Sequence, residues 1–270
     1  MLCRLSTSNL LAALIFCISP ALRAELDVNA IRQPGSSLDT SLRNEADHAV
    51  RQAAAWLAAR QNADGSWGNT NRVRLTSLAL FALRSSRQPQ LSEPQARAAL
   101  WLDRHGTNRL DSLDTYAWRL LALAAVLQET VARTNLLRRF AVPPLPLTWR
   151  ATDETRQLWD EALSASGLAP DLPEPAPPAA RDRLAREAAA WPPHERLSPA
   201  CAWRLAHLIN RAGGGQLMRD NAPLDWRADL AQRLINSQRR AAGSGGFWGA
   251  RTGEDPIAET AFGILALLEL

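Results

Sequence analysis

The sequence contains no lysine; all 31 basic residues are Arg, a bias that points to codon usage. They lie singly on predicted helix faces, with short pairs only at Arg138-Arg139 and Arg239-Arg240, and the 27 acidic residues are spread along the chain. No basic block exists that would track a phosphate backbone. Despite a pI near 9.7, the charge reads as solvated helix surface and no nucleic-acid partner is expected.

Cysteine is equally scarce, with only Cys3, Cys17 and Cys201. Such a set makes neither a disulfide framework nor a zinc cluster, so the core has to hold by burial alone. Alternating apolar and polar residues of the kind that mark a strand are also missing. The apolar run Leu10 to Ile18 is too short to span a bilayer comfortably.

That run sits between Arg4 and the small-residue stretch Ser19-Pro20-Ala21-Leu22-Arg23-Ala24, the layout of a secretory signal cut after Ala21 or Ala24. The expected location is periplasmic or extracellular. A lipoprotein reading at Cys17 meets Phe16 where a small residue belongs, and an uncleaved anchor is the alternative, the one route by which the chain would touch a membrane. Cleavage would remove two Arg and no acid, taking the formal charge from +4 to +2, and would leave Cys201 alone.

What remains is 46% apolar in composition overall and helical in period. Stripes run over Asp47 to Arg60, Arg74 to Arg84, Pro94 to His105 and Leu113 to Leu127. Four phrases align without gaps: TSLALFAL (Thr76 to Leu83), YAWRLLAL (Tyr116 to Leu123), CAWRLAHL (Cys201 to Leu208) and TAFGILAL (Thr260 to Leu267). A polar loop and another amphipathic segment precede each, so the repeating unit is a helical hairpin. Such a unit cannot bury its apolar face alone, and neighbours must stack or close into a ring.

The expected layout is a signal peptide at 1–24, a lead-in at 25–45 and one repeat domain at 46–270. AVPPLPL at 141–147 and LAPDLPEPAPP at 168–178 are proline-rich surface connections that cannot lie inside helices, and Arg150 to Ala165 between them can be one.

The loop after the first stripe runs Trp56-Leu57, then Gln61, then Asp64-Gly65-Ser66-Trp67-Gly68; a looser copy holds Gln238, Gly246 and Trp248. Six residues separate Gln from Trp in the first copy and ten in the second, where extra Ala-Gly-Ser material is expected to bulge outward. This pattern resembles the QW motif of the squalene cyclase and protein prenyltransferase superfamily. The resemblance implies an all-α fold, an α/α toroid forming a partial or complete ring. Its Gln would stack under the Trp and bond exposed backbone at a neighbouring helix end, and Gly65 would take the positive φ of the turn. These loops are structural in the superfamily, so the resemblance speaks for fold and not for chemistry.

Chemistry implied by the resemblance can be tested against the residues. The cyclases protonate an alkene or epoxide with the middle acid of an Asp-x-Asp-Asp-Thr motif. The nearest string is Asp111-Ser112-Leu113-Asp114-Thr115. Aligned directly, Leu113 replaces the donor; shifted by one residue, Asp114 becomes the donor with Ser112 and Thr115 as its companions. The competing reading makes Asp111, Ser112 or Asp114 the N-terminal cap of the next helix, and Asp255-Pro256 a second helix start.

The prenyltransferases hold zinc with Asp-x-Cys and a distant His. Here Pro199 stands two residues before Cys201, and His207 lies on a different helix face, so no metal and no cofactor are expected. Cys201 is expected to be a buried structural residue. His48, His105 and His194 read as solvated or capping groups, and Gly213-Gly214-Gly215 as a helix stop.

Trp118, Trp203 and Phe262 occupy one position of the repeated phrase. They either line a ring centre that holds a polyisoprenoid or a cation, or they pack against outer helices. The leading expectation is a non-catalytic binding or scaffold module for an apolar, terpenoid-like ligand or an envelope protein partner. The alternatives are a small terpenoid cyclase using Asp114 as acid, and a secreted polysaccharide lyase or hydrolase on a helical toroid. Fold analogy alone does not choose between them.

Overall fold

The computed structural model describes residues 38–105, 112–127, 137, 152–166, 168, 197–211, 217–219, 222–241, 245–249 and 255–270. The signal segment, Asp111, His194, the triple glycine and both proline-rich connections except Leu168 lie outside them. Among the described residues the chain is mostly helical, as expected for an all-α protein. The helices are α1 (Thr40–Ala59), α2 (Arg72–Ser85), α3 (Ser92–His105), α4 (Leu113–Val126), α5 (Asp153–Ala165), α6 (Pro199–Arg211), α7 (Trp226–Ser237) and α8 (Pro256–Leu268), with a 3₁₀ turn at Pro89–Leu91.

These elements fall into two compact units that do not follow chain order. One holds residues 61–84 and 88–172, and the other 29–60, 85–87 and 173–270.

In the first unit α4 packs on α3 and on α5. Helix α4 starts where the Ser112 hydroxyl accepts from the Thr115 amide at 3.2 Å, satisfying one of the unpaired N–H groups of the first turn. From Tyr116 to Ala124 it is buried without interruption, so it is an internal helix and not a one-faced surface one. Helix α3 buries only Ala98, Ala99, Trp101 and Leu102, on one face.

In the second unit α8 is the internal helix, buried continuously from Ala258 to Leu267 and packed against α6 and α1. Its start combines Pro256 at a position that needs no donor with Asp255, whose carboxylate accepts from the Ile257 amide at 2.8 Å. Helix α1 has no Gly or Pro and buries a stripe from Leu42 to Leu57, while Ser41, Asn44, Glu45 and His48 stay exposed.

Several expectations need correction. Helix α1 begins at Thr40, inside the supposed lead-in, because Asp39 caps it by accepting from the Leu42 amide at 2.9 Å. Its polar first turns hide the period. Strands do exist, as two antiparallel ribbons of three-residue arms: β1 (Leu217–Arg219) with β2 (Ala222–Leu224), and β3 (Arg239–Ala241) with β4 (Gly245–Phe247). Three residues are too few for alternation to register in sequence. The residues flanking the insertion in the second Trp loop pair as a ribbon, with Arg239 opposite Phe247 and Arg240 opposite Gly246, and the Ala-Gly-Ser stretch expected to bulge lies outside the described residues.

Candidate functional site

The two Trp loops share one hydrogen bond. The Trp67 amide donates to Thr76 Oγ1 at 3.0 Å, and the Trp248 amide donates to Thr260 Oγ1 at 3.1 Å. Thr76 and Thr260 are the first residues of their aligned phrases, and both indoles are buried, at 0% and 1% exposure. Each Trp is followed by a glycine in the left-handed region, Gly68 at φ +74° and Gly249 at φ +82°.

The glutamines act differently. Gln61 donates to the carbonyls of Gly65 (2.9 Å) and Pro94 (2.8 Å), the latter in the first turn of α3. Gly65 sits at φ +92°, and a Cβ there would meet the Arg97 carbonyl at 2.7 Å. Gln238 donates instead to the Ala49 carbonyl of α1 at 2.9 Å, and a Cβ on Gly246 would strike the Gln238 amide at 2.5 Å. Trp56 stacks on Phe247 with centroids 4.9 Å apart and planes 9° from parallel, and Arg60 covers its ring.

Around the first loop, Asp64 takes the Ser66 hydroxyl at 2.7 Å, the Arg72 guanidinium and the Trp101 indole at 3.2 Å. The Ser66 bond and then Arg72 hold its carboxyl well below the usual carboxylate range.

Asp114, the candidate acid, is neither buried nor apart from cations. It is 31% exposed, its Oδ2 accepts from Arg74 Nε at 2.6 Å and its Oδ1 from the Trp118 indole at 3.1 Å. Both oxygens are thus engaged as acceptors, and Ser112 is the cap. A general acid needs a desolvated proton and an open path to substrate. This carboxylate instead anchors α2 to α4.

Trp118 is 1% exposed and lies against Phe81, centroids 6.0 Å apart. Trp203 and Phe262 belong to the second unit and pack on each other at 5.4 Å. Beside Trp118, Arg119 is buried over the Tyr116 ring; burial pushes its guanidinium down to about 10, against the pull of Tyr116.

Cys201 is exposed, not buried as expected. Helix α6 turns Ala202, Leu205, Ala206 and Ile209 inward, and position 201 falls off that stripe. His207 Nδ1 lies 2.8 Å from Glu269 Oε1, and Asn210 donates to the same carboxylate at 3.0 Å and receives Arg227 at 2.9 Å. Burial pushes the Arg227 guanidinium down against the pull of Asp225.

The second unit also carries an open groove of about 750 Å³ between α1 and the β3–β4 ribbon. Glu45, His48 and Gln52 form one wall, and Gln238, Arg240 and Gly246 the other. Among the described residues no Trp, Tyr or Phe lines it. Of the residues missed in sequence, Thr76 and Thr260 were detectable from the phrase alignment. Arg74 and the groove residues Glu45, Gln52 and Arg240 were not, since each meets its neighbours only through the fold. No family model, curated protein or solved structure matches the chain.

Proposed function

We propose that this chain is an exported, non-catalytic binding module, built as an α/α-toroid-like helical repeat, whose occupant is a segment of a protein partner. The observation that carries this reading is the groove on α1. Its volume falls within the range of ligand sites, and its lining sets Glu45, His48, Arg240 and the amide of Gln52 among small apolar groups such as Ala49 and Ile235, a mixed wall that suits a peptide segment better than a terpenoid. The engagement of Asp114 by Arg74 and Trp118 supports the non-catalytic part. So does the burial of Trp118 and Phe262 in helix packing, which leaves those rings little surface to offer a ligand.

The test is turnover. Purified full-length chain incubated with squalene and oxidosqualene, and analysed by gas chromatography with mass detection, is expected to return both unchanged and to carry no stoichiometric polyisoprenoid. Asp114→Asn is expected to differ from wild type only in stability. It should lose about 0.5–1 kcal/mol, since the Arg74 pair is about one-third exposed and screened. A cyclised product formed by wild type and lost in Asp114→Asn overturns the reading in favour of a cyclase.

A further inference from the structure

We infer that the groove between α1 and the β3–β4 ribbon binds an extended peptide of about five residues carrying one acidic and one basic side chain. This inference rests on the binding-module reading and names its ligand. The first support comes from comparing the two Trp loops. The first passes from Gln61 to Trp67 in six residues and still holds its Trp amide on Thr76; the second uses ten. The Trp-to-Thr bond does not need the added length. That length builds the ribbon, and the ribbon supplies the second wall of the groove, with Arg240 on it.

The second support is charge. Glu45 on α1 and Arg240 on β3 line the same groove with opposite signs, and His48 lies beside Glu45 one helical turn on. Among the described residues none of the three has an ion-pair partner, whereas Asp64, Asp114 and Glu269 all do. Opposed charges left open across a groove favour a ligand that brings one charge of each sign, with its acid toward Arg240 and its base toward Glu45.

Shape selects the class. From Ser41 to Gln52 the α1 wall runs about 16 Å at 1.5 Å per residue. An extended chain covers that length in about five residues. The Gln52 amide suits a peptide backbone, and the lack of a Trp, Tyr or Phe platform among the described lining residues disfavours a sugar chain.

The test uses the full chain on immobilised five-residue peptides. One set bears a single acid and a single base at every spacing, and neutral and single-sign sets stand beside it. Retention of the mixed set above the others is expected, weakening as salt rises. Glu45→Gln and Arg240→Gln should each lower it by about 1.5- to fivefold, as for exposed charge contacts. Arg240→Glu should shift preference to peptides with a base at the place the acid held.

All three positions are on the surface, so the variants are expected to melt with wild type; if an Arg240 variant does not, Glu45→Gln and His48→Ala carry the test. Equal retention of the mixed and neutral sets overturns the inference. So does binding that Glu45→Gln and His48→Ala leave unchanged, or selective retention of neutral oligosaccharides instead. Those failures leave the turnover result, and with it the non-catalytic part of the proposed function, untouched, so a loss of the peptide is told apart from a gain of catalysis.

Discussion

Replacing Thr260 by Val removes one oxygen from the interior of the second unit and almost no volume. Thr260 Oγ1 accepts from the Trp248 amide at 3.1 Å and stands 3.2 Å from the Trp248 carbonyl as its donor, and both residues are buried. The substitution leaves a buried N–H and a buried C=O without that partner. Each such group costs about 1–3 kcal/mol, and partial relaxation brings the expected loss to about 2–4 kcal/mol. Thr76→Val removes the acceptor of the Trp67 amide at 3.0 Å and should cost about 1–3 kcal/mol.

For a chain of this size 1 kcal/mol moves the melting temperature by about 2–4 °C, so Thr260→Val should lower it by about 4–16 °C. Hydrogen exchange read by mass spectrometry locates the effect. Thr76→Val should speed exchange in peptides of residues 61–84, and Thr260→Val in peptides covering β4 and α8. Thr260→Ser keeps the oxygen and should recover most of the loss. A Thr260→Val protein that melts with wild type and protects the Trp248 amide equally well refutes the claim that this bond holds the loop.

Two further outcomes are expected. Gly263→Ala would place a Cβ 2.4 Å from the Trp248 ring, so the indole must move and thermal melts should show a loss of about 1–3 kcal/mol. Ala79→Gly at the equivalent position of α2 adds no atom and should cost only about 1 kcal/mol of helix propensity. Asp64 has its carboxyl depressed from 3.8 by Ser66 and Arg72, so its stabilisation is complete above the unfolded value and is lost as pH falls toward the folded one. Asp64→Asn should therefore be less stable than wild type in urea melts at pH 7, with the gap closing below about pH 4; a gap that widens on acidification contradicts the assignment.

The helices were legible because their signals are local. Apolar period, the cap residues Ser112 and Asp255, and Pro256 all act within one turn of chain. The start of α1 was misplaced where Ser41, Arg43, Asn44 and Glu45 dilute the stripe to Leu42 and Ala46. The ribbons escaped notice because their arms are three residues long and partly glycine.

What sequence could not give was contact at a distance. Asp114 is anchored by Arg74, forty residues away in sequence, and nothing near Asp114 shows that its carboxylate is taken. Arg240 faces a groove whose other wall is written almost two hundred residues earlier. Cys201 was misjudged because residue type was used where the register of the α6 stripe decides exposure.

Three of the four aligned phrases divide by what covers them, the fourth having the exposed Cys201 at position one. Where a Trp loop precedes the helix, position one is a threonine that accepts the Trp amide, and position four is small: Thr76 with Ala79, Thr260 with Gly263, the last directly beneath the indole of Trp248. In α4, which has no such loop, Tyr116 stands at position one, edge-on to Trp159 of α5 at 6.5 Å, and Arg119 at position four lies over the Tyr116 ring at 4.9 Å. An internal helix must be covered by something, and large residues in α4 fill the space that an indole fills in α8. The clasp is thus a packing device that one repeat can do without. In the second copy it also reaches a groove, where Gln238 both bonds the Ala49 carbonyl and lines the cleft. The residues the two copies share thus hold each loop on its helix, and the ribbon of the second copy also borders the cleft.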